Sequence, residues 1–143
     1  MEPPSREAER RLHKMKESGA KTVLVVEGDP TISRVCQRVL TGEGFTVDIA
    51  ADGVQAQQMI SEKEYDLILI NFKTPVINGI ELYKHILEKY PELADRVVFT
   101  NGKIPGVQAQ AFLETCGRLF LPKPFTPDEL KAVAREALRR LQK

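Results

Sequence analysis

Four short polar groups each follow a run of apolar residues. Glu27, Gly28 and Asp29 follow TVLVV; Asn71, Phe72, Lys73, Thr74 and Pro75 follow LILI; Thr100, Asn101 and Gly102 follow VVF; Pro122, Lys123 and Pro124 follow LFL. Gathered in one cleft, they supply two acids, two carboxamides, two hydroxyls and two ammoniums. The acids are anionic and can pair with an ammonium, whereas the carboxamide of Asn71 is neutral and Gly28 has no side chain to offer. The charges of Glu27 and Lys123 cancel, as do those of Asp29 and Lys73, so the set is about neutral. Glu27 and Lys123 are expected to form an ion pair. Asp29, followed by Pro30, has the sequence of a helix N-cap with proline at the first helical position.

Whether these groups meet depends on the elements that carry them. The runs Thr22–Val26, Phe45–Ile49, Leu67–Ile70, Val97–Phe99 and Leu119–Leu121 read as five strands. Four are continuously apolar, as in a parallel sheet covered by helices on both faces; Phe45, Val47 and Ile49 alternate with polar neighbours, which marks the second strand as an edge. Between strands, Ile32, Val35, Cys36, Val39 and Leu40 share a helical face, as do Leu82, Tyr83, Ile86, Leu87 and Tyr90, and Leu130, Val133, Ala134, Ala137, Leu138 and Leu141. Thr126-Pro127-Asp128-Glu129 carries a capping-box Glu. The alternation predicts an α/β fold, a (βα)5 unit with right-handed crossovers. In such an open sheet the ligand site lies beyond the carboxyl ends of the strands, where all four polar groups fall.

The composition agrees with one domain. The chain has 143 residues, 42% of them hydrophobic and 29% charged, enough for a core without staples. Its 21 Lys and Arg against 20 Asp and Glu lack the basic footprint of a dedicated nucleic-acid binder. Apolar runs of about five residues, against the roughly 18 needed to span a bilayer, predict no membrane insertion, and without a secretory h-region the expected location is the cytoplasm. Residues 1–21 form a charged arm with six basic and four acidic residues, and Ala8, Leu12 and Met15 at helical spacing; it reads as a solvated leader helix or a linker. Cys36 and Cys116 lack a metal or redox spacing and are expected to be reduced, Cys36 in a helix core and Cys116 in a loop-like stretch. His13 and His85 have no metal-ligand neighbours and are expected at the surface, and Arg135, Arg139 and Arg140 read as a solvated basic face.

From about Thr22 to Lys143 the sequence resembles a receiver domain of two-component signalling. The likeness is carried by VLVVEGDP, DLILINFKTPVING, VVFTNG and LPKPF, in the family's order and at its spacing. It implies a three-layer, flavodoxin-like, doubly wound sheet of strand order 2-1-3-4-5 over residues 22–143, with the arm outside it. Receivers phosphorylate an aspartate that ends strand three, aided by Mg²⁺ on an acidic pair after strand one. A Thr or Ser after strand four and a Lys after strand five contact the phosphoryl group. On that pattern Thr100 and Lys123 match, and Lys123-Pro124 matches a bond that is typically cis in receivers. Phe120 takes the switch-aromatic position or is simple strand packing; Glu27 takes the first acidic position, Gly28 the second, and Asn71 the phosphoacceptor position. The resemblance therefore implies a degenerate receiver, not an enzyme, with no cofactor and weak or absent Mg²⁺ binding. It would act through signalling proteins such as a sensor kinase or an output protein, and its oligomeric state is left open.

Two other readings compete. A receiver of a hybrid kinase could still join a phosphorelay by unusual chemistry, for example on Glu27, although the missing metal ligands argue against it. A flavodoxin-like protein of the same fold would bind a flavin phosphate, but EGDPTIS places an acid where that phosphate would sit. No GxxxxGK[ST] run occurs, which excludes a P-loop enzyme.

Overall fold

Strand β1 (Thr22–Val26) is apolar along its length and its last four residues are buried, so it needs cover on both faces. A computed structural model, which describes residues 21–73, 77–101 and 107–141, supplies that cover. After β1 come α1 (Pro30–Gly42), β2 (Thr46–Ala50), α2 (Gly53–Glu62), β3 (Leu67–Asn71), α3 (Gly79–Lys89) and a single helical turn, Pro91–Ala94. β4 (Val97–Asn101), α4 (Val107–Cys116), β5 (Leu119–Pro122) and α5 (Pro127–Leu141) complete the order. All pairings are parallel and the strand order is β2-β1-β3-β4-β5, as the resemblance implies. Residues 1–20 of the arm, His13 among them, and the loop residues Thr74, Pro75 and Gly102 lie outside the described residues.

Two apolar layers sandwich the sheet. On one face, Val23, Val25, Leu67, Leu69, Val98 and Leu121 pack against Cys36 and Leu40 of α1 and Leu130, Ala134 and Ala137 of α5. On the other, Leu24, Val26, Ile68, Ile70 and Phe99 meet Ala56 and Ile60 of α2 and Leu82, Tyr83 and Ile86 of α3. β2 is an edge as expected, and its alternation has a cause: Phe45, Val47 and Ile49 pack on the α1/α5 layer, whereas Asp48 accepts hydrogen bonds from Tyr65 Oη at 2.8 Å and Lys63 Nζ at 3.0 Å. β5 is the other edge, although its sequence is continuously apolar; Leu119 and Leu121 pack with the α5 layer and Phe120 with the opposite one, so both of its faces are covered.

Several expectations are corrected. The second strand begins at Thr46, one residue later than its apolar pattern suggested, and runs to Ala50. Val35 and Leu87 do not join the buried faces; they are 41% and 51% exposed. Each is one residue from a buried neighbour, Cys36 or Ile86, which turns it about 100° out of the core. Leu141, at the last position of α5, is 37% exposed. Cys116 ends a helix rather than lying in a loop.

Both thiols are free. Burial, with the charge of Glu27 nearby, pushes the Cys36 thiol up to about 12, so at pH 8 it is protonated and shielded. A disulfide-exchange reagent at pH 8 should therefore label one thiol per folded chain quickly, at Cys116; fast labelling of Cys36 would contradict this packing.

The basic end of α5 is internally paired. Arg135 donates to Glu43, while Arg139 and Arg140 both bind Glu136 and draw its carboxyl down to about 2. At α5's other end the capping box forms reciprocally, with Glu129 N–H on Thr126 Oγ1 and Thr126 N–H on Glu129 Oε1. Among the described residues, no helix is long and apolar enough to cross a membrane.

Candidate functional site

The carboxyl ends of β1, β3, β4 and β5 bring four of the expected residues together. Glu27 N–H bonds the Ala50 carbonyl at 3.0 Å, which carries the β1–β2 ladder one step past β1 and fixes where the Glu27 side chain begins. Lys123 N–H does the same from β5, bonding the Asn101 carbonyl at 2.8 Å, and the following Lys123-Pro124 bond is cis. Asn71 and Thr100 are register partners at the ends of β3 and β4. Glu27, Asn71 and Thr100 are all buried, Glu27 at 5% exposure.

A buried carboxylate is costly unless its oxygens are satisfied. Among the described residues, Glu27 has three donors. Lys123 Nζ donates to Oε1 as an ion pair; Asp29 N–H donates to Oε2 at 3.0 Å, and Asn71 Nδ2 donates to the same oxygen at 3.3 Å. The Lys123 side chain is 13% exposed, so this pair is sheltered from solvent on both sides. The expected ion pair is thus present, within a wider network that the sequence reading did not anticipate.

The remaining residues do not converge. Asp29 caps α1, accepting from Thr31 N–H at 2.9 Å, and its side chain is spent there. Gly28 and Lys73 are exposed, and neither brings a side-chain group to Glu27. Phe120 is half-buried in an aromatic cluster, 6.0 Å between centroids from Phe72. His85 lies at the surface as expected, partly covered, its ring 6.4 Å from that of Tyr90. Among the described residues, no group of three His, Cys, Asp or Glu side chains is placed to hold a metal ion.

Two residues without an assigned role matter here. Phe72, next to Asn71, stacks on Phe99 with centroids 4.8 Å apart, and Tyr83 meets Phe99 edge-on at 5.4 Å. Its N–H bonds the Thr100 carbonyl and its carbonyl accepts from Gly79 N–H, both at 2.9 Å, so α3 starts directly against the end of β3. Gly79 is required at that contact: a Cβ there would lie 2.9 Å from the Asn71 carbonyl oxygen and from Phe72 Cα. The signal was the glycine that closes DLILINFKTPVING.

A family model for the response regulator receiver domain matches residues 23–135. The chain belongs to this family. The receiver is 33% identical over 118 residues to the DNA-binding response regulator MtrA of Mycolicibacterium smegmatis, covering 82% of this chain and 50% of that protein. It is 30% identical over 118 residues to the response regulator MprA of Mycobacterium ulcerans. The chain therefore spans about half the length of the curated relatives it matches. Among solved structures, the CheY-like receiver domain protein of Methanospirillum hungatei JF-1 shares the fold with a TM-score of 0.78 at 24% identity, over 86% of this chain and 97% of that one. The signal receiver domain of an HD domain-containing protein of Pseudomonas fluorescens Pf-5 aligns with a TM-score of 0.76 at 25% identity, over 86% and 98%. The protein is a receiver domain of two-component signalling.

Proposed function

We propose that this receiver works without phosphorylation at the usual site and acts by contact with other signalling proteins, a sensor kinase or an output protein. One observation carries the reading: the buried Glu27 carboxylate already takes the Lys123 ammonium, the Asp29 N–H and the Asn71 carboxamide. The charge that a phosphoryl group would bring to Lys123 is supplied from within. Asn71, at the end of β3, offers a carboxamide in place of a nucleophilic carboxylate. Glu27 as an alternative nucleophile is disfavoured, because both of its oxygens are engaged. The near-neutral charge supports protein partners over nucleic acid.

The residues present do not fit Mg²⁺. The ion needs several anionic oxygens, and the pocket offers Glu27, committed to an ammonium, beside Gly28 and neutral Asn71. No cofactor and no enzymatic step are assigned. Calorimetric titration tests this: the wild-type chain should show no saturable Mg²⁺ binding, Asn71→Asp alone should gain little, and Asn71→Asp with Gly28→Asp should bind. Wild-type affinity equal to that of the double variant would overturn the reading.

A further inference from the structure

At the end of the sheet opposite the Glu27–Lys123 pair, the last turns of α2 and α3 leave a groove of about 500 Å³. Tyr90, Pro91 and Leu93 give it apolar surface, Pro91 exposed and the other two half-buried. Exposed acids stand on both walls, Glu62 and Glu64 on the α2 side and Glu92 on the α3 side, and none has an ion-pair partner among the described residues. Three bases line the groove too, but each is committed: Lys63 pairs with Asp48, Arg96 donates to the Tyr65 carbonyl, and Lys89 offsets the negative end of α3 from its last turn. α2 has no basic residue in its last turn, so its negative end adds to the field of Glu62 and Glu64.

The chain enters β1 beside this groove. Thr22 Oγ1 donates to the Glu64 carbonyl at 3.2 Å and Thr22 N–H to Asp66 Oδ2 at 2.8 Å, so the arm joins the domain against the groove's own wall. The four residues Ser18 to Lys21 extend to roughly 13 Å, enough to turn over Glu64 into the groove. Upstream, Ala8, Leu12 and Met15 form one stripe at helical spacing, and Arg11 and Lys16 border it on its two sides. An apolar stripe between two cations matches an apolar groove between acids.

We propose that this chain's own arm, residues 5–17, docks in the groove as a helix, with Leu12 and Met15 on Tyr90, Pro91 and Leu93 and with Arg11 and Lys16 facing the three glutamates. A helix of this length is marginal in water by itself, so it forms as it seats. The tether makes modest affinity sufficient, because a short linker holds the arm at an effective concentration on the order of millimolar. Apolar burial supplies most of that affinity. The exposed ion pairs add little energy but fix which way the stripe faces.

The test is nuclear Overhauser spectroscopy on the full chain at low concentration, with limited trypsin digestion beside it. The methyls of Leu12 and Met15 should show cross-peaks to Tyr90, Pro91 and Leu93. Leu12→Gln with Met15→Gln should remove them, shift the amides of Glu62 to Glu64 and of Glu92 and Leu93, and speed cleavage after Arg11 about tenfold or more, while the amides of Val25 and Leu69 stay in place and show that the domain is folded. Glu62→Lys with Glu64→Lys, at two exposed positions, should also release the arm in the cross-peaks. Absence of the cross-peaks with equal cleavage rates, contacts of Leu12 on another face, or contacts that survive the two Lys replacements would overturn the proposal. So would cross-peaks that arise only between differently labelled copies, since the groove would then hold a second chain's arm.

Discussion

Lys123→Met should destabilise the domain by about 3 kcal/mol in denaturant unfolding, because it strands a carboxylate at 5% exposure. Two donors remain on Glu27, the Asp29 N–H and the Asn71 carboxamide, which keeps the loss near the lower end of what breaking a buried pair costs. In a Glu27→Gln background the same change should cost far less, since no buried charge is then left unpaired. The double-mutant cycle reads the coupling directly. A coupling energy near zero would mean that the ammonium is held by something other than Glu27.

Gly79→Ala should cost about 2 to 3 kcal/mol. Helix propensity alone predicts the opposite sign, with alanine favoured by up to about 1 kcal/mol. Steric contact decides, because the new Cβ would fall 2.9 Å from two backbone positions and 3.1 Å from Ile70 Cγ2, and strand backbone cannot swing aside as a flexible side chain can. The strain would fall on Asn71 and Phe72, so their amide resonances should shift along with those of Thr100, whose carbonyl accepts from Phe72 N–H. A neutral or stabilising Gly79→Ala would show that α3 does not seat against β3 as described.

The fold was legible because its signals are local or periodic. Continuous apolar runs gave the central strands, the alternation at Phe45, Val47 and Ile49 gave an edge, and Asp29-Pro30 and Thr126–Glu129 gave helix starts that the hydrogen bonds bear out. Edge status of β5 was not legible in its apolar pattern, because a four-residue strand covered on both faces reads like a central one; only the strand order implied by the resemblance placed it at an edge. Val35 and Leu87 were misassigned because a stripe at helical spacing does not say where its margin lies.

At the site, residue types indicated the Glu27–Lys123 pair, and strand-end placement indicated where it lies. The further donors were out of reach: one is a backbone N–H from Asp29, which sequence does not display, and the other is the Asn71 carboxamide, 44 positions from Glu27 along the chain. The stack of Phe72 on Phe99 likewise joins adjacent strands whose register only the assembled sheet sets. That a carboxamide, Asn71, ends β3 was readable at once, since it turns on the identity of a single residue.

The central claim, that this receiver takes no phosphoryl group at the end of β3, is tested most directly by intact-mass spectrometry after incubation with acetyl phosphate and Mg²⁺. The account predicts an unmodified wild-type chain and a phosphorylated Asn71→Asp, Gly28→Asp double variant under the same conditions. A stable phosphoryl adduct on the wild-type chain, mapped by fragmentation to Asn71, Glu27 or a neighbour in this pocket, would contradict it.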